Sequence, residues 1–173
     1  MSDHSLPTTL DPFKYADQNK VLEGRIAISL MSRLTGMLVD SSGVVGIELE
    51  FAKDAQNLRI LKGKLSTDVN LLCQRCLNPV SKHIQSEFTL GIVMDDEQAQ
   101  NLPKAYEPIF VEHDSKLVIQ DVIEEEIILT LPMFAYHEDC QASEYPQEED
   151  VADFVEEEKV NPFDVLAGLK LKK

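Results

Sequence analysis

The chain reads as an α+β domain built on an antiparallel β-sheet, and three observations predict it. Apolar and polar residues alternate with period two over residues 44–51, 64–72 and 80–93, the pattern of strands that bury one face and wet the other. One later stretch, 119–131, spaces its apolar residues as a helix does, with Ile119, Val122, Ile123, Ile127 and Leu131 on one face. All three cysteines fall into two short pairs, Cys73-x-x-Cys76 and His137-x-x-Cys140. Two such turns facing each other make a tetrahedral N/S cage that suits zinc and can staple the sheet.

The elements follow in chain order. Residues 1–18 are polar and contain Pro7 and Pro12, which suggests an arm or a first extended segment. Residues 24–30 alternate and predict a strand, and 31–39 can begin a helix. In 44–51, Ile47, Leu49 and Phe51 share one face, and Asp54-Ala55-Gln56-Asn57 is turn chemistry before 58–63. Residues 64–72 and 80–93 are two long strands flanking the cysteine knuckle, which runs into Asn78-Pro79. His83 lies in the second of them as an exposed or cross-strand residue rather than a fifth ligand. A short helix over 95–102 carries Asp95, Asp96 and Glu97 at its N-terminus, where acids are favoured, and Pro103 stops it. Residues 106–111 and 117–118 read as extended pieces. The helix over 119–131 ends at Pro132 and delivers the chain to His137 and Cys140. Its other side carries Asp121, Glu124 and Glu125, expected as a solvated face.

A single Cys-x-x-Cys also fits a thiol–disulfide redox motif. Such a motif usually follows a strand and opens a helix in a parallel unit, whereas this pair sits between two strands. Ligation by Cys73, Cys76, His137 and Cys140 closes the site, so any zinc there is structural; catalytic zinc keeps a position open for water. The zinc-deaminase order is absent, because the histidine follows the cysteine pair and no proline precedes Cys73. The bland alternative is three idle thiols. An odd number of cysteines argues against a disulfide framework and for a reducing compartment, so the chain reads as cytoplasmic.

Composition narrows the function classes. A hydrophobic share of 43% in 173 residues is enough to build one core. Tryptophan is absent and aromatics make up 6%, which supplies base-stacking platforms poorly. The N-terminus has neither a basic segment nor an apolar run, so no signal peptide is expected, and no stretch approaches transmembrane length. Among seven glycines there is no phosphate cradle, and no Ser/His/Asp arrangement stands out, so neither catalysis nor a small-molecule substrate is expected.

The net charge of −15 is unevenly placed: residues 138–160 hold ten acids against one lysine, a net −9. Such a surface repels a phosphate backbone and attracts basic proteins, of which ribosomal proteins are an obvious class. Solubility alone is the competing explanation. Beyond the acidic run, Asn161, Pro162, Phe163, Val165, Leu166, Leu169 and Lys170 fit a short amphipathic helix. A sticky helix on an acidic flexible tether suits docking into a partner's groove; folding back as a cap is the alternative.

Several motifs together carry a family resemblance. They are Leu6-Pro7 to Asp11-Pro12, Cys73-Gln74-Arg75-Cys76, the run from Glu124-Glu125-Glu126 to Leu131-Pro132, His137 with Cys140, and the terminal Asn161-Pro162-Phe163-x-Val165-Leu166-x-x-Leu169-Lys170. Nearly end to end, the chain resembles the YceD family of large ribosomal RNA subunit accumulation proteins. The resemblance implies a bacterial cytosolic protein needed for synthesis, processing or stability of large-subunit (23S) rRNA.

The expected organisation is one domain over 1–140, an acidic linker over 141–160 and a docking helix over 161–173. The expected function is a non-enzymatic ribosome-biogenesis factor that shields a basic ribosomal protein or docks on an immature large subunit, contacting rRNA indirectly. Two alternatives stand beside it. One is a metal-dependent rRNA nuclease or processing enzyme using Asp121, Glu124 and Glu125. The other is a zinc knuckle that binds RNA directly through Arg75, Lys82 and their neighbours, with salt-sensitive affinity.

Overall fold

The computed structural model describes residues 6–112 and 115–142. Five strands form the main sheet in the order β2-β3-β4-β5-β6. They are β2 (Val21–Ala27), β3 (Val44–Lys53), β4 (Arg59–Leu72), β5 (Pro79–Val93) and β6 (Glu107–Phe110). Neighbours pair antiparallel from β2 to β5, which bears out the α+β class. The last pair departs from it: β6 runs parallel to β5, with Leu90 opposite Glu107 and Val93 opposite Phe110. Parallel pairing needs a crossover, and α3 (Asp96–Gln100), capped by the Asp95 carboxylate on the Gln98 amide, lies in it. Leu102 then seats over Gly91, where a Cβ would come within 2.6 Å of the leucine methyl groups.

The two expected segments 58–63 and 64–72 are one strand. Alternation continues through both, burying Leu61, Leu65, Val69 and Leu71 on the inner face and leaving Lys62, Lys64, Ser66 and Asp68 outside. From β5 the inner face receives Val80, Ile84, Leu90 and Ile92, and from β3 it receives Val45, Ile47, Leu49 and Phe51.

Helices cover that inner face. The N-terminal stretch is not a simple extended arm, which corrects the expectation for 1–18. β1 (Thr9–Leu10) pairs with β7 (Leu117–Val118), and α1 (Pro12–Asp17) follows. Asp11 caps α1 by accepting from the Lys14 amide at 3.0 Å, and Pro12 occupies the first turn, where its missing N–H costs nothing. Tyr15 meets Phe51 edge-on at 5.5 Å between centroids. Asp17 binds Lys53 at 2.8 Å and Arg59 at 2.9 Å, and the Arg59 hydrogen bond, joined by that of Lys53, holds its carboxyl at about 2.

The strand expected over 24–30 begins and ends three residues earlier. Residues Ile28–Leu30 form a 3-10 turn, and the helix expected over 31–39 is a single turn, α2 (Ser32–Thr35). The helix expected over 119–131 is α4 (Ile119–Thr130), which buries Ile119, Val122, Ile123 and Ile127 as its spacing requires. The expected linker over 141–160, beyond residue 142, and the expected docking helix over 161–173 lie outside the described residues. Among the described residues no helix is long and apolar enough to cross a membrane.

Candidate metal centre and its supports

The β4–β5 hairpin is the longest pairing in the molecule, running from Ile60 opposite Gly91 to Leu72 opposite Pro79. Cys73 and Cys76 sit in the turn at its tip. The Leu77 amide donates to the Cys73 carbonyl at 3.0 Å and the Cys73 amide to the Asn78 carbonyl at 2.9 Å. Leu77 holds φ at +58°, the left-handed conformation that lets so tight a knuckle return to the strand.

The second half of the cluster arrives from the other end of the chain. After α4, Pro132 turns the backbone away, and the Gln74 amide donates to the Ala135 carbonyl at 2.9 Å. The Arg75 guanidinium donates to the His137 carbonyl at 2.6 Å and to that of Glu138 at 3.4 Å. These bonds join the His-x-x-Cys turn to the knuckle. All four expected ligands then converge: the donor atoms of Cys73, Cys76, His137 and Cys140 lie within 4.8 Å of one another. Cys73 Sγ is 3.7 Å from Cys140 Sγ, and Cys76 Sγ is 3.3 Å from His137 Nδ1.

The donor set fits a metal ion. Sulfur at about 2.3 Å and nitrogen at about 2.0–2.1 Å from a common tetrahedral centre stand roughly 3.6–3.8 Å apart, close to these contacts. The other ring nitrogen of His137, Nε2, lies 3.1 Å from the Pro79 carbonyl. A carbonyl can only accept, so that bond places a proton on Nε2 and turns Nδ1 toward the thiols, the outer-shell arrangement that orients a ligating histidine.

Backbone dipoles favour ionised sulfur. Burial pushes the Cys73 thiol up, yet the amides of Cys76, Arg75 and His137, together with the His137 ring, outweigh it and bring the group to about 5. Cys76 is lowered first by the Asn78 amide. Hydrogen bonding to Cys73 and then Cys76 raises His137, and burial followed by the neighbouring thiols raises Cys140. Cys73 and Cys76 are thus held toward the thiolate that a cation binds, while Cys140 and His137 would give up a proton on binding one.

The expected solvated face of α4 is only half right. Asp121 and Glu125 are exposed, but Glu124 is buried with its side chain 5% exposed. It accepts the amides of Arg33 at 2.7 Å and Leu34 at 3.0 Å, and the Arg33 Nε at 3.2 Å. α2 has no cap of its own, so Glu124 supplies from another helix the carboxylate that its first-turn amides need. Burial pushes the carboxyl up, but the Leu34 amide and then Arg33 pull it below the ordinary value. Among the described residues the Cys/His cluster is the one group of three or more such side chains placed to hold a metal; Glu124 is turned to α2, while Asp121 and Glu125 are exposed.

Glu126 behaves oppositely. Burial first, then the charges of Glu107 and Glu125, raise its carboxyl to about 6. A folded value above the unfolded one of about 4.5 means that ionised Glu126 destabilises the fold above pH 6, and that protonation relieves this as pH falls toward 4.5. Glu126→Gln is expected to raise unfolding free energy by about 1–2 kcal/mol at pH 7.5, with the gain shrinking between pH 6 and 4.5. Urea titrations of both proteins across that range check it.

The outer sheet face is polar. A cavity of about 500 Å³ there is floored by Glu23, Glu48, Glu50, Glu87, Lys62 and Lys64. Glu48 lies opposite Lys64 and Glu50 opposite Lys62, with Lys64 bound to Glu87 at 3.1 Å, while Glu23 faces Glu48. This is the cross-strand pairing of a wetted face. His83 is exposed on that face, 2.7 Å from Asp68, and takes no part in the cluster, as expected.

The fold and the cluster define a class: a small α+β domain whose central hairpin presents a thiol pair that a downstream His-x-x-Cys turn completes. The family model for the large ribosomal RNA subunit accumulation protein YceD matches residues 61–170. A protein of Haemophilus influenzae named Large ribosomal RNA subunit accumulation protein YceD is 36% identical over 174 residues, covering 99% of this chain and 100% of its own. The chain belongs to the YceD family. No solved structure matches it.

Proposed function

We propose that this protein is a non-enzymatic factor that supports accumulation of large-subunit rRNA by binding a basic ribosomal protein or an immature large subunit. Membership of the YceD family over nearly the whole chain is the observation that carries this reading. The net charge of −15 supports a protein contact over a direct phosphate contact. The reading places the protein in the cytoplasm and gives Asn161, Pro162, Phe163, Val165, Leu166, Leu169 and Lys170 a docking role. We further propose that the Cys73, Cys76, His137 and Cys140 cluster holds one structural zinc ion. Four protein ligands leave no position open for water, so the site joins two parts of the chain and performs no reaction.

Affinity purification from bacterial lysate, with and without ribonuclease, tests the partner class. Basic ribosomal proteins are expected to stay bound after the RNA is digested, and retention should fall when 161–173 is deleted. An association that disappears with the RNA would overturn the protein-partner reading in favour of direct RNA binding. Incubated with large-subunit rRNA and magnesium or manganese, the purified protein is expected to leave the RNA intact; cleavage would restore the nuclease alternative.

A further inference from the structure

The last turn of α4 and the segment that joins it to the cysteine cluster leave apolar side chains in water. Leu129, Met133, Phe134 and Tyr136 are 69%, 89%, 62% and 44% exposed. Isolated exposed apolar residues are ordinary, but a gathered set marks an interaction surface. Phe134 and Tyr136 stack with centroids 6.4 Å apart and planes 25° from parallel. The Arg75 guanidinium lies 6.0 Å from the Tyr136 ring centre. The backbone beneath them is held: Ala135 is buried and its carbonyl accepts from Gln74, while that of His137 accepts from Arg75. The two rings are presented by a rigid support at no further ordering cost.

The border of this surface is acidic. Asp121, Glu125 and Leu129 recur at four-residue intervals on α4 and so lie along one exposed stripe, acids first and then the apolar residue. Glu138 and Asp139, two and three residues beyond Tyr136, are exposed as well.

We propose that this edge is a docking surface for a lysine- and arginine-rich amphipathic protein segment. The segment's apolar side covers the Phe134–Tyr136 stack, and its cations meet the flanking carboxylates. The inference rests on the partner class given under Proposed function and gives that partner a second contact, separate from the docking role of residues 161–170. Charge complementarity selects this occupant. An RNA strand would bring phosphates to an edge that exposes Asp121, Glu125, Glu138 and Asp139 against the cations Arg33 and Arg75. A second copy would set the same acids against one another across a two-fold axis. The chain's own segment 161–173, with one aspartate and three lysines, has the charge to compete for this edge, but the run of net charge −9 before it would be brought against the same carboxylates.

The test uses the full-length protein, immobilised under reducing conditions, and proteins stripped from purified large ribosomal subunits as the probe. The wild type is expected to retain at least one identified basic protein, and F134A/Y136A to bind it about tenfold more weakly or worse, as loss of a central aromatic anchor does. Tyr136 neighbours Arg75 and His137, so F134A alone is tested beside the double variant, and its melting temperature and metal content should match the wild type while its binding falls. Equal retention by the wild type and the variants would overturn the surface assignment while leaving the partner class intact. Retention of no basic protein by the wild type would overturn the partner class, and the surface assignment with it. A photo-crosslinking residue placed at position 134 identifies the occupant. A crosslink to a lysine-rich segment of the retained protein supports the inference; one to residues 143–173, to a second copy or to added rRNA overturns it.

Discussion

Protein purified under reducing conditions is expected to carry one zinc ion per chain, and Cys73→Ala is expected to lose both the metal and much of the domain's stability. Cys73 is fully buried and belongs to the same apolar cluster as Leu71, Val80 and Ala135, so its sulfur is central to both the cage and the core. A ligand bound at about 1,000 times its dissociation constant contributes about 4 kcal/mol to folding. For a domain of this size that loss lowers the melting temperature by roughly 10 °C. Chelator titration followed by elemental analysis and calorimetry gives the measurement. His137→Ala should act in the same direction, because it removes both the Nδ1 donor and the bond to the Pro79 carbonyl. A folded protein free of zinc, with a melting curve that chelator does not move, would remove the metal from the account.

Glu124→Ala is expected to cost about 3 kcal/mol, the second largest effect. It leaves the Arg33 and Leu34 amides without their acceptor and the Arg33 guanidinium without its partner. Glu124→Gln keeps one carbonyl acceptor and should lose about half as much. The sign with pH follows from the lowered carboxyl. The stabilisation is complete above the unfolded value of about 4.5 and is lost as pH falls through the folded value, so wild type and Glu124→Ala should converge in acid. Denaturant unfolding at pH 7.5 and pH 3.5 checks both statements. A wild-type midpoint for Glu124→Ala at neutral pH would show the carboxylate to be incidental. Because α4 leads directly into the His137–Cys140 turn, the variant should also bind zinc more weakly.

Much of this was legible in the residues. Period-two alternation placed β3, β4 and β5 to within one or two residues, except that β4 took in the separate 58–63 segment, because burial on one face repeats at every second position. The paired spacing of Cys73 with Cys76 and of His137 with Cys140 indicated one site, and the fold brings all four together. Glu124 was misread for a definite reason. Helical periodicity reports which positions are apolar, but not that a one-turn helix 90 residues earlier would present bare amides to a neighbouring polar position. The parallel β5–β6 pair was illegible too, since strand direction depends on where the crossover returns and not on the strand's own pattern. By contrast α1 carried a readable signal, Asp11 before Pro12, that the general polarity of the first 18 residues obscured. Phe134 and Tyr136 had none, because an exposed ring and a core ring look alike in a sequence.

The distance along the chain between the two halves of the cluster sets an order of events during synthesis. Cys76 and His137 are 61 residues apart, and Cys73 and Cys140 are 67. At about 5–20 residues per second, a ribosome takes several seconds to deliver the second half after the first. Throughout that interval the β4–β5 hairpin can zip, because its partners are adjacent in sequence, while its tip carries two thiols with nothing to close on. Any metal held by all four side chains is therefore loaded only after Cys140 has cleared the exit tunnel, and truncated chains ending before it would carry half of the cluster. Thiol-reactive probes applied to nascent chains stalled between residues 80 and 136 are expected to label Cys73 and Cys76 more readily than in the finished protein, the consequence of placing the two halves of the cluster so far apart.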